Sequence, residues 1–574
     1  MHSTTDFFSR QQKPLSPHLL QHLDTCLAQA CGALLDSLEV LTQPLSRWPG
    51  AANDPETLAL QNACEYDQQQ FMEAFFADAC NKPFSQMHRD FFTTENARIR
   101  AGIRGWRDAT AAPRGNGKST IKSKVQVVHK ILYGYEKYIL ICSANAELAR
   151  DKVREIRDIF TENTKLIRTF GPQETRDWRQ SDFITACGAR VRAFTPRSKA
   201  RGLLWHNRRP TLILLDDAED PETVLTPLRR ERFAAWYAND VSKLGDAETN
   251  FDVVGTILNP QSLLAQLLKN PGYNARLYHA VITFADTKEA WDLWSQWRDI
   301  LLDLQNPHRL EDAKHFFGTH EAAMLAGAQV LWPESENYYQ LMLSRIVDGE
   351  SAFWQEKQNT PLGDARYLFQ MDSAAYCEIR PTEIIRHDRT IVPWSEINDI
   401  AAYWDPTPDK IRAQGTDFAA CTIVARDVYG YIYVLDAYVK QEASTDKQIT
   451  DIAWMLYQWR VPLLGLEGNS FQSLMANNLR QAIAKLNQDF RSDWVCDVIP
   501  VINMKNKIMR IRSLEPLVNN HWLQFARTLP TPAYTQMSEF LPVNNAGHDD
   551  FPDSLEGAVR TVRGLLTRRD TGAA

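Results

Sequence analysis

The segment Ala112-Pro113-Arg114-Gly115-Asn116-Gly117-Lys118-Ser119-Thr120 has the residue types of a loop that wraps a polyphosphate. It fits GxxxxGK[ST] except that Ala112 stands at the first glycine position. Gly115 and Gly117 let backbone N–H groups converge on phosphate at a helix N-terminus, Lys118 can reach the β- and γ-phosphates of ATP, and the Ser119 hydroxyl can ligate Mg2+. A partner acid must hold that cation through water. Asp216 follows the apolar run Thr211–Leu215 and opens Asp216-Asp217-Ala218-Glu219-Asp220, at a strand end where open sheets place ligands. Asp217 and Glu219 are both candidates for activating the attacking water, and Asp220 is equally readable as a solvated loop acid. The run Phe251–Gly255 is followed by Thr256, whose hydroxyl can sense a γ-phosphate.

A second constellation lies in the C-terminal third. Asp405 ends the run AAYWDP, Glu467 ends VPLLGLEG, and His548-Asp549-Asp550-Phe551-Pro552-Asp553 opens the last helix, with Pro552 suited to its first turn. Acids this far apart can converge on one sheet edge when each sits at a strand end or helix start. There they can bind two divalent cations, Mg2+ or Mn2+, that clamp the attacking and leaving oxygens of a phosphodiester. The order strand-Asp, hairpin, strand-Glu, helix-Asp is that of ribonuclease H-like nucleases. Asp550 and Asp553 both stand as the helix ligand.

The elements that must position these groups are legible as hydrophobic patterns. Lys137–Cys142, Arg190–Phe194, Thr211–Leu215 and Phe251–Gly255 are short, continuous apolar runs alternating with helical stretches, the pattern of a mainly parallel α/β sheet buried on both faces. Ile121, Val125, Val128 and Leu132 share one helical face behind the glycine-rich loop, with Gly134 at the helix end. A second α/β block opens with Ile400–Trp404, Ala420–Arg426 and Tyr431–Tyr438, the last two joined by a turn at Asp427–Gly430. The predicted organisation is a helical N-terminal appendage (1–70, with Leu19, Leu20, Leu23, Leu27, Leu34 and Leu35 at helical spacing), a P-loop ATPase domain (71–345), a connector (346–395), a ribonuclease H-like α/β nuclease domain (396–566) and a tail (567–574).

Composition bounds the rest. With 574 residues, 44% hydrophobic and 24% charged, the chain is long enough for two or three globular domains and is neither fibrous nor mostly disordered. Nine cysteines without a CxxC pair fit reduced thiols rather than disulfides or zinc. No apolar run is long enough to span a membrane and the N-terminus lacks a signal-peptide pattern, so a cytoplasmic protein is expected. The net charge of −7 means that DNA must be met by local basic patches. The candidates are Arg197, Lys199, Arg201, Arg208 and Arg209 before the first acidic run, and Lys505, Lys507, Arg510 and Arg512 in the C-terminal block.

The two sites in this order, with the strings APRGNGKST, KARGLLWHNRRPTLILLDDAED, VVGTILNPQSLL, FWQEKQNTPLG, AYWDPT, GTDFAACTIV, LEGNS and HDDFPDSLEGA, resemble the large terminase subunit, the DNA-packaging motor of tailed double-stranded DNA phages. The resemblance covers roughly residues 80–565. It implies that Arg114 lies beside the phosphates, that Asp216 is the Walker B metal acid, that Gly255 and Thr256 couple hydrolysis to movement, and that Asp405, Glu467 and Asp550 or Asp553 form the nuclease cluster. Family members usually carry Glu where this chain has Asp217, which leaves the base open between Asp217 and Glu219. Arg201 is a candidate trans arginine finger. The implied partners are double-stranded DNA, the portal protein of the procapsid, a small terminase subunit and further copies of the chain in a ring. The implied location is the host cytoplasm, with transient docking on the procapsid and absence from the mature virion. The competing expectation is a helicase- or repair-type ATPase with a fused nuclease. A two-lobed helicase, however, needs a second RecA-like lobe where this chain has the acidic-cluster block.

Overall fold

Strands buried on both faces must lie inside a sheet covered by helices, and the first half of the chain folds accordingly. A computed structural model describes residues 47–196, 202–361, 367–406, 418–441, 444–468, 472–503, 506–541 and 548–564. The first sheet contains Arg107–Ala111 (β1), Tyr138–Cys142 (β2), Asp182–Ile184 (β3), Arg190–Phe194 (β4), Leu212–Asp216 (β5), Asn250–Gly255 (β6) and Asn274–Leu277 (β7). Their order is β3-β4-β2-β5-β6-β1-β7, and only β3 runs antiparallel to its neighbour. β2, β5 and β6 are buried along their whole length. Phe71, Phe91, Val128, Ile156 and Val191 build the core on one face, and Phe233, Tyr237, Leu263 and Phe251 that on the other. β6 lies between β1 and β5, so three strand ends that carry candidate residues stand side by side.

The helix behind the glycine-rich loop departs from the one-faced pattern. It begins as a π-helical turn (Thr120–Val125) and continues as an α-helix (Gln126–Leu132), and its polar residues Lys122, Ser123, Gln126, His129 and Lys130 are buried with the apolar ones. The helix Gln86–Ala101 (α1) covers that polar side, and the charges are paired across it. Arg98 makes a bidentate contact with Asp108 (2.8 and 2.6 Å), Lys122 meets Asp252 (3.1 Å) and Lys130 meets Glu95 (2.9 Å). A paired buried ion adds little net stability, but deleting one partner strands the other at a cost of about 3–5 kcal/mol.

The chain joins this core earlier than expected. Trp48 donates its indole N–H to the Leu132 carbonyl (2.8 Å) and packs edge-on against Phe170 and Tyr133, so the later part of the expected appendage belongs to the first core. Residues 1–46, including the leucine-rich run, lie outside the described residues, as does the tail from 565 onward. A small helical unit follows the first sheet, with Val281–Thr283 (β8) and Gln329–Val330 (β9) and a core of Trp294, Trp297, Leu341 and Phe353.

The second sheet contains Tyr376–Ile379 (β10), Glu383–Ile385 (β11), Ile391–Pro393 (β12), Ile397–Asp405 (β13), Ala419–Asp427 (β14), Ile432–Lys440 (β15), Leu463–Glu467 (β16), Asp497–Val501 (β17) and Leu523–Ala526 (β18). The order is β12-β11-β10-β18-β15-β14-β13-β16-β17. β13, β14 and β15 form an antiparallel meander, and β16 and β17 run parallel to β13. The hairpin turn is held by Asp427, whose Oδ1 accepts the N–H groups of Tyr429, Gly430 and Tyr431 at 3.0, 2.8 and 2.9 Å. β10, β11 and β12 fall in the stretch 346–395 expected as a connector. Strands of three or four residues interrupted by Pro381 are too short to display a period of two.

The last helix, Asp550–Val562, is buried almost all round against β13 and β14. Ser554 Oγ donates to the Tyr403 carbonyl (2.9 Å) and shares a hydrogen bond with Thr422 Oγ1 (3.0 Å), and a Cβ on Gly557 would stand 2.3 Å from Tyr403 Cγ. Gly557→Ala is therefore expected to destabilise the chain by about 1–3 kcal/mol through overpacking, read as a lower denaturation midpoint.

Candidate functional site

The ends of β1, β6 and β5 each deliver one part of the first site. Gly115 (φ +83°) and Gly117 (φ +73°) adopt left-handed backbone that lets the loop after β1 fold back on itself. Beneath the loop, His88 accepts from Ser85 N–H at Nδ1 (3.1 Å) and donates from Nε2 to the Asn116 carbonyl (2.8 Å), an arrangement that requires a neutral ring. Burial lowers its pKa accordingly. Nothing in the residue types around His88 marks this role; it arises from the start of α1 lying under the loop. Lys118 Nζ, on a side chain 7% exposed, donates to Thr256 Oγ1 (2.8 Å) and stands 3.4 Å from Asp217 Oδ1.

Asp216 is wholly buried. Ser119 Oγ donates to its Oδ1 (2.9 Å), Ser123 Oγ to its Oδ2 (2.6 Å), and Lys152 Nζ forms an ion pair with that same Oδ2. The adjoining Ser119 hydroxyl and Asp216 carboxylate are hard oxygen donors beside a glycine-rich loop, and they fit Mg2+. Asp217, at φ +46°, keeps its N–H on the Val254 carbonyl (2.9 Å) while its side chain turns out towards Lys118. Arg114 is 76% exposed; its N–H donates to the Glu356 carbonyl (2.9 Å), and its guanidinium stands 3.6 Å from the Glu356 carboxylate. Pro113 and Asn116 are buried in the loop, and Thr120 starts the helix.

The two candidate bases have different surroundings. Both Glu219 oxygens are committed to the first N–H groups of the helix Leu263–Leu267, at 2.7 Å to Leu263 and 3.0 Å to Leu264, and burial pushes the carboxyl up to about 7. Asp220 caps a helix in the same manner, accepting Thr223 N–H (2.7 Å). Of the acids after Asp216, only Asp217 lies beside Lys118, so Glu219 is corrected from a candidate base to a helix cap. Under an ATP-hydrolysing reading of the site, Asp217→Asn is expected to lower the turnover number by a factor on the order of 10²–10⁴ with nucleotide binding retained, while Glu219→Gln stays near the parent rate. Because the folded pKa of Glu219 lies above its unfolded value, its contribution to stability is complete below about pH 4.5 and is lost as pH rises through about 7. Relative to Glu219→Gln, the parent should lose up to about 3 kcal/mol across that window in urea titrations.

The second site forms where β13, β16 and the last helix meet. Asp405, Glu467 and Asp553 each place a carboxylate oxygen within 4.8 Å of the others. Burial, and then the neighbouring Glu467, hold the Asp405 carboxyl well above the usual carboxylate range, and burial pushes Asp553 up to about 7. Carboxylates crowded in this way do not all ionise unless a cation joins them. Glu467 Oε2 is sheltered from solvent and accepts no hydrogen bond, while Oε1 accepts from Asn503 (3.0 Å), which also donates to Tyr403 Oη (2.9 Å). An all-oxygen set with a sheltered, unused lone pair fits Mg2+ or Mn2+.

Asp550 is not in this group. It lies one turn earlier on the helix, and its Oδ2 accepts the Phe418 N–H (3.1 Å). Of the two aspartates left open as the helix ligand, Asp553 is the one that joins Asp405 and Glu467. Asp553→Asn is expected to abolish metal-dependent cleavage, whereas Asp550→Asn, which lies one turn outside the three-carboxylate group, costs about tenfold to a hundredfold. Plasmid nicking with Mn2+ measures both.

No protein-family model and no curated protein matches the chain. Among solved structures, the nuclease domain of the large terminase subunit gp2 of bacterial virus Sf6 is similar over 29% of this chain and 90% of its own, at 8% identity and a TM-score of 0.21. A mutant of that domain with manganese and beta-thujaplicinol is similar over the same shares at 9% identity and a TM-score of 0.20. RuvC from Thermus thermophilus, in complex with a Holliday junction substrate, is similar over 29% of this chain and 98% of its own, at 13% identity and a TM-score of 0.16. The chemistry of both sites rests on this chain's own residues.

The basic residues divide. Lys507 and Arg510, expected to face DNA, turn into the acidic cluster instead, and this corrects their assignment. Lys507 Nζ lies 2.7 Å from Asp549 and 3.6 Å from Asp553, and Arg510 lies 2.7 Å from Asp553 and 3.3 Å from Glu556. Arg208 and Arg209 are exposed, whereas Arg197, Lys199, Arg201 and Lys505 lie outside the described residues. Among the described residues no helix is long and apolar enough to cross a membrane, and the seven described cysteines are free thiols.

Proposed function

We propose that the chain is a large terminase subunit, which drives double-stranded DNA into a procapsid with ATP and cuts concatemeric DNA with a metal-dependent endonuclease. The observation that carries this reading is the convergence of Asp405, Glu467 and Asp553 at the end of a central strand, in the same chain as a glycine-rich loop whose lysine meets Thr256 and Asp217. The strand order β15-β14-β13-β16-β17, with the first three antiparallel, supports a ribonuclease H-like nuclease, and β6 between β1 and β5 supports a P-loop ATPase in which Thr256 stands between the phosphate lysine and the acid strand.

Each residue then has a distinct task. Lys118 leaves Thr256 and Asp217 for the β- and γ-phosphates. Asp217, released from the lysine and reachable from solvent, orients the attacking water and accepts its proton. Thr256, freed at the same moment, passes the change at the γ-phosphate to β6. Arg114, on an exposed stem, can turn from Glu356 to the phosphates. In the nuclease site Asp405, Glu467 and Asp553 would hold divalent ions, with Asn503 fixing the Glu467 carboxylate. Two ions bound there would supply a water of lowered pKa and neutralise charge on the leaving oxygen. Lys507 and Arg510 balance the acids. The partners under this reading are DNA, the portal protein, a small terminase subunit and further copies of the chain in a ring, acting in the host cytoplasm and docking transiently on the procapsid.

The test uses the full chain. Supercoiled plasmid should be nicked or linearised with Mn2+ or Mg2+ in the absence of ATP, and DNA should stimulate phosphate release from ATP. Absence of cleavage in folded protein at millimolar Mn2+ overturns the nuclease half; absence of ATP hydrolysis with DNA present overturns the motor half.

A further inference from the structure

The Asp216 carboxylate is buried at the end of β5 and needs a counter-charge. Ser119 and Ser123 give it hydrogen bonds but no charge, and Lys118 is engaged on the other side with Thr256 and Asp217. The charge comes from Lys152, on the helix Ala146–Glu162 that starts from the Asn145 cap just after β2. This lysine belongs to none of the motifs in the phosphate loop or the acidic run. Its side chain remains 20% exposed, so the ammonium sits between the buried acid and the open mouth of the site. A divalent cation shared by Ser119 and Asp216 would stand beside that ammonium, and two cations on one carboxylate repel each other. Lys152 has a flexible four-carbon stem on which to withdraw, and the charge available to receive it at the mouth is the nucleotide's own polyphosphate. Ser123 Oγ, at 2.6 Å, would keep Asp216 oriented after the lysine leaves.

We propose that Lys152 is a positioning residue that occupies the Asp216 carboxylate in the metal-free chain and transfers to the phosphates when a magnesium nucleotide is bound. This assignment rests on the ATP-binding reading of the site. It makes Lys152 and Mg2+ competitors for Asp216, and it makes Lys152 a phosphate contact.

The experiment measures binding of fluorescent ADP to the full chain across a Mg2+ titration. Lys152→Met should lower the half-saturating Mg2+ by about tenfold, because the competing cation is gone, and should weaken ADP binding at saturating Mg2+ by about tenfold, because a phosphate contact is gone. Lys152→Arg keeps a cation and should retain the parent's Mg2+ requirement to within about threefold. Lys152→Gln, which keeps a hydrogen bond to Asp216 without charge, should reproduce the Met result and serves if the Met variant does not fold. An unchanged Mg2+ midpoint in the uncharged variants, with normal ADP binding by the parent, overturns the role of Lys152 alone. A parent chain that binds no ADP at any Mg2+ concentration overturns the ATP reading, and the assignment falls with it.

Discussion

Asp405→Asn is expected to leave no detectable plasmid cleavage while DNA-stimulated ATP hydrolysis continues at the parent rate. Divalent ions held close together need several carboxylates to offset their mutual repulsion, and Asp405, fixed at the end of β13, stands within 4.8 Å of both Glu467 and Asp553. An amide in its place keeps the volume but removes the charge, so the cluster loses a ligand at its most rigid point. The loss can be separated from misfolding. Burial and Glu467 already disfavour the ionised form of Asp405, so neutralising it relieves repulsion, and the metal-free variant should unfold at a temperature no lower than the parent's. Calorimetric titration with Mn2+ gives the second readout, since metal binding to the C-terminal site should be lost with activity. Cleavage at the parent rate would mean that these three acids are not a nuclease site.

Lys118→Ala is expected to lower ATP hydrolysis by a factor on the order of 10³ or more and to leave Mn2+-dependent plasmid nicking intact. Under the proposed function the lysine is the charged group that the loop presents to the phosphates, and its partners here, Thr256 and Asp217, are polar groups. Folding should survive, because Asp217 is 46% exposed and water can take the place of the ammonium. The acidic cluster is built on a different sheet and the last helix, so loss of both activities in well-folded protein would contradict two separate sites. Hydrolysis at the parent rate would remove the loop from the ATP reading.

The fold of the glycine-rich loop was legible because its geometry is local. Gly115, Gly117, Lys118 and Ser119 are adjacent in the chain, and the strand before and the helix after them have their own periodic signatures. The acids were legible by type and by their place at strand ends, but not by their pairing. Glu219 lies close to Asp216 in sequence, yet its partners Leu263 and Leu264 are more than forty residues away, and burial at that contact made it a helix cap. Lys507 and Arg510 read as a DNA-facing patch because an isolated cation is usually solvated; the neighbouring acids that draw them inward come from other parts of the chain. The strands at 376–393 are short, and β10 joins the larger sheet by pairing with β18, which follows some 150 residues later.

The sequence by itself determined the residue types brought to the two sites, the strands that had to be buried and the loop that had to turn, since these depend on residue type and on periods of two or 3.6 residues within one segment. Only the tertiary structure decided which carboxylate faces which cation. A single helical turn separates Asp550 from Asp553, and the choice between them was made by contacts remote in sequence: Gly557 flush against the Tyr403 ring, and Ser554 bonded to the Tyr403 carbonyl and Thr422. Those contacts set the rotation of the last helix on the sheet, and that rotation directs Asp553 towards Asp405 and Glu467 while Asp550 holds the Phe418 backbone.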